Sequence, residues 1–265
     1  MMKKLLLLFA LLFSVTIAAN AQNKYFTVNG VSFTMIFVKG MTFTMGDKSP
    51  LGNSPIYDSS EKPRHKVRID DYYIGQTEVT QALWVAVMGN NPAKYNVNKL
   101  NPVEQVSWED CQTFIQKLNN LTGEKFRLPT EAEWEFAACG GANYRGCEYS
   151  GSNDVDLVAW YDPLDYSREE GDFSAGGTHP VATKAPNELN IYDMSGNVWE
   201  WCQDWYDEKY YSSSPTDNPK GPSSGTYHVI RGGSWYQNAS FCYVWTRNGD
   251  YPNTRFCNLG FRLAL

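Results

Sequence analysis

Apolar and polar residues alternate along the first part of the chain, and glycines interrupt the alternation. From residue 28 to 45 the pattern changes direction at Gly30 and Gly40, as it does in short strands that are joined by turns. A further strand is expected over 70–77, and it leads into a helix over 79–88 that a glycine ends.

Two more helices are marked at their first residues. Ser107 is followed three positions later by Asp110, and Thr130 by Glu133. Each pair is a capping box, in which the two side chains satisfy N–H groups of the first helical turn. The helix after Ser107 carries apolar residues at helical spacing as far as Gly123.

Regular structure is expected to be unevenly distributed. The chain from about 139 to 185 is predicted to be mostly loop, and short strands with turns follow to the end. With helices in the first half and irregular β-structure in the second, the sequence favours a single α+β domain with little regular secondary structure.

The N-terminus has the pattern of a secretory signal peptide. Lys3 and Lys4 precede an apolar run of about thirteen residues that ends at Ile17, which is shorter than the twenty or so residues that a membrane span needs. Small residues then supply a cleavage site. We therefore expect a signal peptide over 1–21, a domain over 22–265, and export to the periplasm, the cell surface or the medium.

Charge and cysteine content exclude several classes of function. The chain has 29 acidic and 23 basic residues, and it has no basic cluster, so we expect neither nucleic-acid nor anionic-lipid binding. No later segment is apolar enough for a membrane span. Six cysteines in an exported protein make disulfides plausible. They lack the close paired spacing of zinc ligands.

Four segments carry a resemblance to a known family. They are the runs 127–135 (RLPTEAEWE), 193–201 (DMSGNVWEW), 231–235 (RGGSW) and 258–262 (NLGFR). In this order they resemble the formylglycine-generating enzyme (sulfatase-modifying factor) family. The resemblance extends over nearly the whole mature chain. It implies a variant of the C-type-lectin fold, which bound calcium often stabilises.

The resemblance also implies a calcium site. The family's ligands, which are one side-chain oxygen, two backbone carbonyls and a glutamate, correspond here to Asp193, Gly196, Val198 and Glu200. Calcium prefers several hard oxygen ligands, and a glycine turn lets carbonyl groups converge. The alternative is that Asp193 caps a turn and Glu200 pairs with an arginine.

The family's catalytic centre is incomplete in this sequence. Family members hold copper(I) with two cysteines, three and eight residues after the serine of Gly-Gly-Ser, and convert a sulfatase cysteine to formylglycine. Counting from Ser234, the eighth residue is Cys242, but the third is Gln237. A neutral amide is a poor ligand for copper(I), which prefers soft thiolate, so copper is not expected. Ser234 and Trp199, which line the family's site, are present.

The remaining thiols suggest two pairings. Cys242 is either a buried thiol or the partner of Cys202, and Cys139 and Cys147 could bridge locally. The two disulfides that are typical of better-known family members cannot form, because Leu263 and Arg247 stand where cysteines would be needed.

Three functions remain open. The favoured one is a non-catalytic protein that binds an unknown protein or small molecule through its C-terminal loop, where aromatic and small polar residues are mixed as they are in recognition loops. The second is an oxidase that acts on a sulfatase polypeptide, or a related oxidase with an altered metal site. The third is a lectin-fold binder diversified by a retroelement. The candidate ligand-binding residues are Tyr236, Gln237, Phe241, Tyr243, Trp245 and Tyr251.

Overall fold

The structure is a computed structural model, and it describes residues 22–48, 59–163 and 176–265. The predicted signal peptide lies outside this part of the chain. The helices are α1 (Gln81–Met88), α2 (Trp108–Thr122), α3 (Glu131–Ala138) and α4 (Val155–Val158). None of the helices in the described part is long and apolar enough to cross a membrane.

The two predicted capping boxes form and set the starts of α2 and α3. The Ser107 side chain accepts from the Asp110 N–H while the Asp110 carboxylate accepts from the Ser107 N–H. Thr130 and Glu133 make the same exchange at α3. Helix α2 ends at Gly123, which is in the left-handed conformation with φ 76°. The helices over these residues are confirmed.

In the described part of the chain, nine short strands form three sheets. They are β1 (Lys24–Val28), β2 (Val31–Val38), β3 (Thr42–Met45), β4 (His65–Arg68), β5 (Tyr72–Gly75), β6 (Trp199–Trp205), β7 (His228–Arg231), β8 (Arg247–Asp250) and β9 (Leu259–Gly260). The first sheet has the order β1-β2-β5, the second pairs β3 with β4, and the third has the order β8-β7-β6-β9. Among the strand pairs of the described residues, β6 and β9 are parallel and the others are antiparallel. The alternation seen from residue 28 onward therefore belongs to β2 and β3, and the predicted α+β architecture is confirmed.

The larger core cluster lies between α1, α2 and the C-terminal sheet. Trp84 stacks on Phe114 with ring centroids 5.2 Å apart, and Phe261 packs edge-on against both rings. These three rings come from α1, α2 and the end of the chain. The NLGFR motif, which contains Phe261, therefore completes the core that α1 and α2 begin to form.

Buried arginines of the C-terminal sheet region are paired with carboxylates from elsewhere in the chain. Arg262 donates two hydrogen bonds to Glu200 on β6, at 2.6 and 2.7 Å, and both side chains are fully buried. The same guanidinium also donates to the carbonyl groups of Gly75 and Tyr192. Arg262 therefore joins β5, the loop before β6 and β6 itself.

The substitution Arg262→Met should destabilise the protein by about 3–5 kcal/mol, because it leaves the Glu200 carboxylate buried and unpaired. Chemical denaturation of the purified protein would measure the loss. The double variant Arg262→Met with Glu200→Gln should recover part of it, since the buried charge is then gone. Equal stability of the single variant and the unmodified protein would show that the pair does not stabilise the fold.

Candidate functional site

A glycine turn positions the residues at the predicted catalytic centre. Strand β7 ends at Arg231, and Gly232 and Gly233 follow with φ angles of 99° and 72°, which favour glycine. A Cβ on Gly233 would lie 2.7 Å from the carbonyl oxygen of Phe241. The two glycines therefore let the chain reverse closely against the segment that carries Cys242.

The side-chain oxygen of Gln237 is held at this turn by two donors. The Trp199 indole N–H donates to Gln237 Oε1 at 2.6 Å, and the Ser234 hydroxyl donates to the same atom at 2.8 Å. Asn258 in turn donates to Ser234 Oγ at 3.1 Å. Three of the residues that the sequence singled out, Trp199, Ser234 and Gln237, are thus joined in one hydrogen-bonded group.

Cys242 lies beside this group but is completely buried. It packs in a small cluster with Tyr149 and Val158, and burial raises the pKa of its thiol to about 12. The thiol is therefore protonated at neutral pH, whereas the thiolate is the form that attacks substrates and binds metals. The Ser195 hydroxyl donates to the carbonyl oxygen of Cys242 and fixes its backbone.

All six cysteines are free thiols, so both predicted pairings are corrected. Cys202 packs in a different hydrophobic cluster from Cys242. The thiol of Cys139 is buried, and burial raises its pKa to about 11. Packing, rather than disulfide bonding, holds these loops.

A cavity of about 400 Å³ opens next to Gln237, and we call it the C-terminal cavity. Aromatic, amide and acidic side chains line it together with a thiol: Trp199, Ile230, Tyr236, Gln237, Asn248, Asp250, Phe256, Cys257, Asn258 and Leu259. Its volume falls within the range of small-ligand sites. Because Gln237 Oε1 is already occupied by two donors, its amide NH₂ is the group left to contact a ligand.

The other predicted ligand-binding residues have different positions. Tyr251 is half exposed and its hydroxyl contacts that of Tyr227. Phe241 lies edge-on against Trp199. Tyr243 stacks on Trp245, which is buried in the core. Of the six candidates, Tyr236 and Gln237 line the cavity, while Phe241, Tyr243 and Trp245 pack in hydrophobic core clusters.

Sequence reasoning did not single out Asn248, Asp250, Cys257 and Asn258 as ligand-binding residues. Asn248 and Asp250 lie on β8, where they pair with Ile230 and His228 of β7, and Ile230 also lines the cavity. The signal in the sequence was the polar run before the final NLGFR motif. Without the register of β7 and β8, the sequence could not show which way the side chains of this run face.

Three of the predicted calcium residues lie on the turn before β6, and Glu200 lies on β6 itself. Asp193 and Gly196 have φ angles of 57° and 80°, and a Cβ on Gly196 would lie 2.2 Å from the carbonyl oxygen of Trp160. Asp193 Oδ2 accepts from the Ala182 N–H at 2.7 Å. Glu200 accepts from Arg262 and from the Trp134 indole, which is the arginine pairing that the sequence left open. The carbonyl of Val198 completes the set that the resemblance implies.

Two buried carboxylate oxygens near this turn have no hydrogen-bond partner in the described part of the chain. They are Asp193 Oδ1 and Glu78 Oε1. Burial, together with the charges of Asp193 and Glu200, raises the pKa of Glu78, and burial raises the pKa of Asp193 to about 6. With three carboxyl groups and only Arg262 to balance them, the group has two acidic charges in excess when all are ionised. The excess negative charge and the carboxylate oxygens without a hydrogen-bond partner fit a divalent cation.

The side chains alone do not form a complete metal site. Within the described ranges, no three histidine, cysteine or acidic side chains are arranged to hold a metal ion. A cation at this turn would therefore rely on the backbone carbonyl groups of Gly196 and Val198 besides Asp193, as the sequence motif implies.

Comparison with known proteins supports the resemblance seen in the sequence. The model of the sulfatase-modifying factor enzyme 1-like domain matches residues 23–265. The formylglycine-generating enzyme of Streptomyces coelicolor is 38% identical over 173 residues, which cover 62% of this chain and 52% of that protein. The formylglycine-generating enzyme of Mus musculus is 29% identical over 290 residues, covering 87% and 74%.

Two solved structures share the fold. Treponema denticola variable protein 1 superimposes with a TM-score of 0.77 at 33% identity, covering 91% of this chain and 98% of that chain. PvdO from Pseudomonas aeruginosa gives 0.74 at 24% identity, covering 93% and 99%. The chain belongs to the sulfatase-modifying factor (formylglycine-generating enzyme) family and has its C-type-lectin-like fold.

Proposed function

We propose that this protein is an exported, non-catalytic member of the family that binds a ligand in the C-terminal cavity. The observation that carries the proposal is the hydrogen bonding of Gln237. Its side-chain oxygen is held by Trp199 and Ser234 at the position where the family has a copper-binding cysteine. Export rests on the predicted signal peptide.

The donor chemistry at this position is unsuited to copper(I). An amide oxygen is a hard ligand, and copper(I) selects soft thiolates. The remaining family cysteine, Cys242, is buried and has a pKa raised to about 12. A two-sulfur copper site at these two positions therefore lacks one of its ligands.

One observation favours the oxidase alternative. Cys257 lines the C-terminal cavity and could in principle supply a second sulfur. Burial raises the pKa of this thiol too, and the nearby Lys94 opposes the shift. The thiol also shares a hydrogen bond with Tyr95. The functional test therefore has to distinguish copper binding by Cys257 from copper binding by Cys242.

The lining of the cavity supports ligand binding. Tyr236 and Phe256 supply rings of small conformational entropy, and Asn248, Asp250 and the Gln237 amide supply polar groups that can adapt. Phe256 is about half exposed. The likeness to a Treponema protein named as variable adds support to the hypothesis of a diversified binder, which a near-identical template repeat downstream in the DNA would establish.

The purified protein should neither bind copper(I) stoichiometrically nor convert a Cys-x-Pro-x-Arg peptide to its aldehyde. Copper(I) titration against a chromogenic chelator and mass spectrometry of the peptide would measure the two activities. The variant Gln237→Cys should gain copper binding, because it restores the soft pair. Copper binding by the unmodified protein that Cys257→Ser abolishes would instead establish the oxidase alternative.

Peptides selected from a random display library on the immobilised protein should bind in the C-terminal cavity. Truncation of an anchoring aromatic costs about 1–2 kcal/mol, so Phe256→Ser should weaken the selected peptides about tenfold or more. Tyr25→Ser removes another exposed ring far along the sequence and serves as the matched control. Fluorescence anisotropy would measure both affinities. Equal affinity for the two variants would place the binding surface elsewhere.

We also propose that the turn from Asp193 to Glu200 binds calcium. Asp193 would supply a carboxylate oxygen, Gly196 and Val198 their carbonyl groups, and Glu200 would remain tied to Arg262. The unpartnered oxygens of Asp193 and Glu78 support this assignment. Bound calcium would neutralise the excess acidic charge and stabilise the turn that carries Trp199.

Calcium at about one hundred times its dissociation constant should add about 2.7 kcal/mol to the free energy of unfolding. Thermal unfolding in calcium chloride and in chelator would show this as a rise in Tm of several degrees. Asp193→Ala should remove the rise, whereas Asp250→Ala, an acidic change in the C-terminal cavity, should keep it. Identical melting curves with calcium and with chelator would leave the Glu200–Arg262 pair as the sole stabiliser of the turn.

A further inference from the structure

A second and larger cavity, of about 470 Å³, lies apart from the C-terminal cavity and shares no lining residue with it. Strand β3, the residues on either side of it, the end of α3 and the loop after α3 enclose it. Its lining consists of Met41, Thr42, Phe43, Thr44, Lys48, Arg64, Phe136, Cys139, Gly141, Ala142, Tyr144 and Gly146. We call it the cationic cavity because its two charged lining residues, Lys48 and Arg64, are both basic.

Arg64 supplies a positive charge that the described residues leave uncompensated. Its side chain is exposed, and no salt bridge joins it to an acidic group in the described ranges. Its charge acts on Tyr144 across the opening, where it opposes the burial that raises the pKa of that hydroxyl. Arg64 and Tyr144 are therefore neighbours at the cavity wall.

Lys48 supplies a second charge, deeper in the cavity. Its side chain is 8% exposed and forms a salt bridge with the buried carboxylate of Glu135. An ammonium group has three N–H donors. Glu135 takes one, so the ammonium keeps N–H donors for a ligand.

The charges behind Lys48 do not cancel its own. Glu135 is shared between Lys48 and Arg231, and Glu131 pairs with Arg247. Three cations thus face two carboxylates. The third acid, Asp204, accepts from the Glu131 N–H, and burial followed by the charge of Glu131 raises its pKa well above the usual range. The raised pKa favours the uncharged form of Asp204.

The remaining walls are apolar and aromatic. Phe43 and Phe136 lie with ring centroids 5.0 Å apart, and Tyr144 faces Lys48 at 5.9 Å from the ammonium to the ring centroid. Such rings favour contact with the apolar body of an organic molecule. A buried cation whose charge is not fully balanced favours an anionic group on the same molecule. Inorganic anions alone would leave the apolar walls in contact with water.

We propose that the cationic cavity binds a small organic anion, with its carboxylate, sulfonate or phosphate group at Lys48 and Arg64 and its apolar body against Phe43, Phe136 and Tyr144. The site is independent of the C-terminal cavity and of the proposed calcium turn. A ligand bound there would join β3, the two basic side chains and the loop after α3.

The test compares two probes that differ only in charge. The dye 8-anilinonaphthalene-1-sulfonate has a sulfonate group that N-phenyl-1-naphthylamine lacks. The full-length folded protein should bind the sulfonate at least tenfold more tightly in a fluorescence titration, and the preference should fall as salt is raised. Arg64→Glu should reduce affinity for the sulfonate by tenfold or more and leave affinity for the neutral probe unchanged.

Two variants serve as controls. Lys125→Glu makes the same change in charge at another exposed position, and Phe256→Ser alters the C-terminal cavity; both should bind the sulfonate as the unmodified protein does. Arg64 is chosen over Lys48 because Lys48 also neutralises the buried Glu135. Circular dichroism would confirm that each variant is folded. Equal affinity for the two probes, or equal loss in Arg64→Glu and Lys125→Glu, would overturn the proposal.

Discussion

The buried pair of Glu200 and Arg262 is the contact on which the rest of the C-terminal half depends. Arg262 uses its guanidinium to hold Glu200 and also the carbonyl groups of Gly75 and Tyr192. A chain with short strands and long loops has few ladder hydrogen bonds to fix its segments. A fork of five N–H donors with fixed geometry can satisfy several buried oxygens at once. The last segment of the chain is thereby attached to the first sheet and to the turn before β6.

This pair also determines the position of the candidate site. Glu200 lies one residue after Trp199, and Trp199 donates the hydrogen bond that holds Gln237. Asn258, just before β9, holds Ser234 from the opposite side. Because β9 and β6 are parallel neighbours, the register of this strand pair sets both the Trp199 contact with Gln237 and the Asn258 contact with Ser234. The C-terminal cavity is therefore formed by the same strands that the buried ion pair fixes.

The sequence predicted the local features of the fold and the family, but not which side chains meet. Capping residues fixed the starts of α2 and α3 because their hydrogen bonds are made within four residues. The cationic cavity could not be predicted, since Lys48, Arg64 and Tyr144 come from separate segments that share no pattern. Trp245 could not be assigned to the core from composition, because an aromatic residue in a loop can face either side. The disulfide expectations for Cys202 and Cys242 failed for the same reason, as the two thiols pack in different clusters.

The residue at position 237 satisfies two buried donors. The Trp199 indole and the Ser234 hydroxyl both point a proton at this position, and an apolar residue there would leave two buried donors unpaired at a cost of about 1–3 kcal/mol each. A glutamine supplies an acceptor oxygen for both. A neutral amide is a hard ligand, whereas copper(I) selects soft thiolates, so the residue that keeps the hydrogen bonding of this site is a poor copper(I) ligand. Under the proposed function, this replacement would keep the ligand-binding cavity without the metal, which is the combination that a binding protein built on this fold requires.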